Sequence, residues 1–72
     1  MISRAQLRAA RAMLGWTAGE LARRSNVHRR TVRKIEKAEA DPQAMTIRQI
    51  VAALVAGGVE FQDGGVRLAR RK

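Results

Sequence analysis

The sequence predicts an all-α domain, four short helices followed by a short C-terminal β-strand or hairpin extension. Three observations carry that expectation. Capping and stopping residues punctuate most of the chain, at Ser3, Gly15, Thr17 and Gly57-Gly58. Between them apolar residues recur at i, i+3 and i+4, the period of a helix with one buried face. After Gly58 the period shortens to two, in Val59-Glu60-Phe61 and Val66-Arg67-Leu68, around the turn chemistry of Gln62-Asp63-Gly64-Gly65.

The first helix begins at Ser3, whose hydroxyl forms a Ser-x-x-Gln capping box with Gln6. Leu7, Ala10, Arg11 and Leu14 share one face, and Gly15 ends the helix. An arginine on a packing face needs a carboxylate, so Arg11 calls for an acid elsewhere in the fold. Thr17 caps the second helix with Glu20 as its capping-box partner, and Trp16 precedes the cap at hydrophobic-staple spacing from Leu21. The lone tryptophan therefore reads as structural. Leu21 and Ala22 face inward, and Arg23 and Arg24 end the helix where cations suit its dipole. Ser25-Asn26-Val27 is the turn, with Asn26 suited to positive φ. His28 or its neighbour opens the third helix. Ala38 to Pro42 is a loop. Thr46 or its predecessor opens the fourth helix, in which Ile47, Ile50, Val51, Leu54 and Val55 keep the apolar period to Gly57-Gly58. That apolar face is broad, so part of it is expected to seal the core and part to meet a second copy. The two terminal strands either pair with each other or pair across a dimer, because strands this short need support.

The third helix carries the strongest signal. With Arg29 at zero, Arg33, Lys37, Arg30 and Lys34 fall at about 40°, 80°, 100° and 140°, whereas Ile35 and Val32 fall at about 240° and 300°. One face packs and the other presents five cations. Glu36 lies toward the core edge and offers that stripe no partner, so the stripe is built to meet a polyanion.

The 72 residues make one small domain, too short for a large core. Fifteen basic residues against six acidic ones give a formal charge of +9, and seven of the fifteen lie between Arg23 and Lys37. Such a balance points to nucleic acid or an anionic surface. There is no cysteine and one histidine, His28, which leaves no disulfide, no zinc centre and no nucleophile–base pair. No catalytic, metal-binding or cofactor-binding residue is expected. The longest apolar run, Ile50 to Ala56, is too short to span a membrane. With no signal-peptide pattern, a cytoplasmic, nucleoid-associated location is expected.

Leu21, Ala22, Asn26, Val27, Val32 and Ile35 fall where helix-turn-helix proteins of the Cro and phage-repressor (Xre) type place their packing and turn residues. The chain resembles that family over roughly Gln6 to Leu54. The resemblance implies a compact four-helix repressor-like domain over residues 1–57, with the helix-turn-helix unit at 17–37. Residues 58–72 would form a dimerisation segment and basic tail. It implies that Arg11 pairs with Glu36, and that Arg29, Arg30, Arg33 and Lys34 read bases in the major groove of double-stranded DNA. The charge pattern alone says only that this face meets DNA. Thr17, Arg23, Arg24, His28, Lys37 and Arg48 are then expected at phosphates. Val51, Val55, Val59, Phe61, Val66 and Leu68 are expected at a homodimer interface, and Arg70-Arg71-Lys72 would add non-specific attraction. Many relatives carry a DNA-contacting glutamine where this chain has Ala18, and glycine where it has Asn26; the loop after Lys37 holds acids where relatives hold bases.

The expected function is a sequence-specific DNA-binding transcriptional regulator, a repressor on a palindromic operator. The same helices also suit an antitoxin, with a toxin or antiactivator as protein partner of the C-terminal segment. RNA recognition is disfavoured by one phenylalanine, one tryptophan and no tyrosine, and membrane-surface binding by the individually capped helices.

Overall fold

A computed structural model of the chain describes residues 2–39 and 41–69. The basic tail Arg70-Arg71-Lys72 lies outside them. Four helices, α1 (Arg4–Met13), α2 (Ala18–Ser25), α3 (Arg29–Glu36) and α4 (Ala44–Gly57), precede a hairpin of β1 (Val59–Gln62) and β2 (Gly65–Leu68). One core joins them all: Leu7 and Ala10 from α1, Leu21 and Ala22 from α2, Val32 and Ile35 from α3, Ile50 and Leu54 from α4, and Val59 from β1.

The capping box at α1 is present, with Gln6 N–H donating to Ser3 Oγ at 3.1 Å and Ser3 N–H donating to Gln6 Oε1 at 2.8 Å. The other end of the same amide reaches across the molecule. Gln6 Nε2 donates to the carbonyls of Gln62 at 2.7 Å and Gly65 at 2.9 Å, so one buried side chain starts the first helix and holds the hairpin tip. Nothing in the sequence pattern distinguished that second role.

Thr17 Oγ1 caps α2 by accepting from Glu20 N–H at 3.0 Å. The expected return arm of a capping box is not formed, because two arginines on the next turn claim the Glu20 carboxylate. Ser25, expected in the turn, is instead the last, buried residue of α2, its hydroxyl satisfied by the Leu21 carbonyl at 2.7 Å. Asn26 supplies the left-handed residue at φ 59, which lets Val27 N–H reach back to the Ala22 carbonyl at 3.1 Å.

The end of α3 repeats that device with a less suitable residue. Ala38 sits at φ 61, its N–H donating to the Ile35 carbonyl at 3.1 Å and Glu39 N–H to the Lys34 carbonyl at 2.8 Å. This is the Schellman closure that glycine normally completes. Ala38→Gly is therefore expected to stabilise the domain by about 0.5–1 kcal/mol, the relieved left-handed strain outweighing glycine's extra backbone entropy. A urea midpoint that stays level or falls would contradict it.

Helix α4 starts at Ala44, earlier than expected; Gln43 caps it without a side-chain hydrogen bond. Pro42 presets the chain just before the cap, and the exposed first turn can leave its free N–H groups to water. Gly57 is not the stop residue. A Cβ there would lie 2.6 Å from the Trp16 ring, so Gly57 is the close-approach point between the α1–α2 connection and α4, and Gly58 at φ 116 ends the helix.

The strands pair within the chain, antiparallel, with Val59 opposite Leu68 and Phe61 opposite Val66 on the inner face. Glu60 and Arg67 form an ion pair at 2.8 Å on the outer face. Gly64 at φ 73 makes the turn. Val59, expected at a dimer surface, is 1% exposed and belongs to the protomer's own core. The chain turns directly from α4 into the strand, which buries its first residue in the same core as Leu54. Leu68 overhangs the opposite edge at 55% exposure.

Candidate nucleic-acid interface

The site begins with two apolar anchors. Val32 and Ile35 are 0% and 5% exposed, which fixes the rotation of α3 about its own axis. Arg29, Arg30, Arg33 and Lys34 are thereby turned to solvent, as is Lys37 at the C-cap. Among the described residues none of these five cations forms an ion pair. His28 caps the helix with Nδ1 accepting from Arg30 N–H at 3.0 Å. A neutral ring used that way carries its hydrogen on Nε2, a donor suited to a phosphate oxygen.

Tilt is fixed by a second contact. Arg11 meets Glu36 in a two-point pair, Nε to Oε2 at 2.7 Å and NH2 to Oε1 at 3.0 Å, and its NH1 donates to the Trp16 carbonyl at 2.8 Å. One guanidinium thus ties α1, the end of α3 and the approach to α2. Each oxygen of the Glu36 carboxylate accepts one bond from Arg11, and the pair is largely shielded, at 23% and 10% side-chain exposure. Against α2, the Arg29 stem passes within 3.5 Å of where a Gly19 Cβ would stand, so the first arginine of α3 lies along the opening turn of the helix before it.

These helices enclose a cleft lined by Arg4, Arg8, Thr17, Ala18, Arg33 and Lys37, with the Arg11–Glu36 pair in its wall. Arg4 and Arg8 were missed from sequence. Their spacing with Arg11, at i, i+4 and i+7, is a helical stripe that continues the cationic surface from α3 onto α1. Ala18 offers no side-chain donor, so at that point the cleft has the free N–H groups of the α2 N-terminus and the arginines of α1.

The two arginines of α2 are placed differently from the rest. Glu20 binds both, Arg23 NH2 at 2.6 Å and Arg24 through Nε. Hydrogen bonding from Arg23 and then Arg24 holds the Glu20 carboxyl below the usual carboxylate range. Arg24 also lies over the Trp16 ring, 4.5 Å from its centroid, a cation–π contact. With Ala18 at zero on α2, Gly19 lies at about 100° and Arg24 at about 240°. Arg24 therefore braces Trp16 on the side away from Arg29. Arg48 is exposed on α4, outside the cleft and beside Val51, Ala52 and Val55.

Among the described residues no cluster of histidines and carboxylates is arranged to hold a metal ion, and no helix is long and apolar enough to cross a membrane. A cation-bearing helix, locked by a left-handed turn to the helix before it, defines the class: a helix-turn-helix DNA-binding domain. A family model described as helix-turn-helix matches residues 7–54, and the chain belongs to that family, the Cro and phage-repressor type of DNA-binding transcription regulators. The family is generally non-enzymatic. No curated protein matches the chain.

Proposed function

We propose that the protein is a sequence-specific repressor that binds a twofold-symmetric operator as a homodimer, with α3 in the major groove. The observation that carries this reading is the outward row on α3: cations without acidic partners among the described residues, on a helix fixed in rotation by Val32 and Ile35 and in tilt by Arg11–Glu36. Arg29 and Arg30, at the helix N-terminus, approach base edges first, most plainly guanine O6 and N7, with Arg33 and Lys34 behind them. Thr17, His28, Lys37, Arg4 and Arg8 hold phosphates around the cleft. Arg23 joins them by releasing Glu20, and Arg24 serves the fold.

One recognition helix reads too few base pairs to be selective on a genome, which favours two copies on half-sites about 10–10.5 base pairs apart. Selection from random duplex DNA tests the reading directly, a twofold-symmetric consensus being the expected result and an asymmetric or absent consensus the contrary one. The division of labour has its own test. Arg29→Ala is expected to cost about 1–3 kcal/mol at one base-pair position and little at the others. Arg8→Ala is expected to weaken all sequences alike and to lower the salt slope by about one. A base-substitution panel that reverses those patterns would refute the assignment.

A further inference from the structure

We infer that two copies of this chain meet through the outer face of α4 and the groove beside the hairpin, with Arg48 of each copy bonded to Asp63 of the other. The inference rests on the homodimer reading above and specifies its surface. With Ala44 at zero, the buried Ile50, Leu54 and Ile47 lie at about 240°, 280° and 300° on α4, whereas Val51, Val55, Arg48 and Ala52 lie at about 340°, 20°, 40° and 80°. Those four form a smooth surface broken by one charge. It continues past Val51 into a groove floored by Phe61 and rimmed by Asp63 at the hairpin tip. Val55 is half exposed, as is Leu68.

The charges on that surface select its occupant. Arg48 on one flank and Asp63 on the other are both exposed, and neither forms an ion pair among the described residues. In a twofold contact residue i meets j and j meets i, so one cation and one acid flanking an apolar seam satisfy each other twice over. DNA does not suit a surface with an acid at its rim. A chain of charge +9 repels its own copy nearly everywhere else, which leaves this nearly neutral face as the place where self-contact costs least. A helix of this length is about 21 Å long, so the contact covers about 400 Å² per copy with the hairpin included, small for a stable dimer. The free protein is therefore expected to dimerise weakly, in the range of about 10–100 µM, and two adjacent half-sites to complete the association.

Sedimentation equilibrium without DNA tests the surface separately from the DNA reading. Arg48→Glu and Asp63→Arg are each expected to weaken the dimer about tenfold, because each puts like charges in two symmetry-related positions. The double reversal R48E/D63R is expected to return the dimer to within about threefold of the starting protein, since it restores both pairs with opposite polarity. Both residues are exposed, and unchanged far-ultraviolet circular dichroism confirms folding of each variant. A protein that stays monomeric at about 500 µM overturns the inference, as does a dimer indifferent to both single reversals or a double variant no better than the worse single one. None of those results bears on the α3 row, which half-site binding by fluorescence anisotropy reads independently.

Discussion

Glu36→Ala is expected to lower the stability of the domain by about 3 kcal/mol, the low end for removing one partner of a buried ion pair. The low end applies because Arg11 keeps 23% side-chain exposure and its bond to the Trp16 carbonyl. In a domain this small the loss corresponds to a fall of about 12–24 °C in Tm. The loss arises from the guanidinium left behind without its carboxylate, so replacing both residues is expected to be milder than replacing one. Arg11→Met with Glu36→Leu should recover most of the stability, because desolvating the pair offsets much of its attraction. Its DNA affinity is expected to recover less, since apolar neighbours hold α3 in the core without fixing its tilt. A double variant less stable than Glu36→Ala, or one that binds DNA as well as the original, would show that the pair does not set that orientation.

Affinity for duplex DNA is expected to fall about a thousandfold between 50 and 200 mM salt, as for proteins that neutralise about six or more phosphates. Arg4, Arg8 and Lys37 around the cleft, doubled in a dimer, reach that number without counting the residues proposed to read bases. Fluorescence anisotropy over that range gives the slope. A shallow one, equivalent to about two charges in the dimer, would mean that the cleft does not receive the DNA backbone. Arg24→Ala is expected to leave the slope unchanged while lowering stability, because its guanidinium is engaged by Trp16 and Glu20.

Local rules were enough for the caps of α1 and α2 and for the turn into α3, because those ends are decided by nearby residues. The Ser3–Gln6 box, the Thr17 cap and the left-handed Asn26 are interactions within one turn, and all three are present. The rotation of α3 was likewise legible, since Val32 and Ile35 leave one orientation that buries both. What escaped is what depends on distant parts of the chain. Glu20 has the right spacing for a capping box, but spacing does not reveal that Arg23 and Arg24 compete for it and win with two charges against one amide. Gly57 looks like a stop signal until Trp16 is seen against it. Arg4 and Arg8 looked unremarkable on α1 because their meaning comes from α2 and α3 closing the cleft around them. Val59 alternates like an interface residue, yet the immediate turn out of α4 buries it.

Gln6 has a consequence for how the protein is made. Its amide satisfies carbonyls 56 and 59 residues downstream, at positions 62 and 65, so the first turn of α1 meets these partners only after the hairpin has left the ribosome. The helices can gather beforehand, but the amide waits in water until the last hairpin docks. Closure of the fold around α1 is thereby deferred until the hairpin has been synthesised.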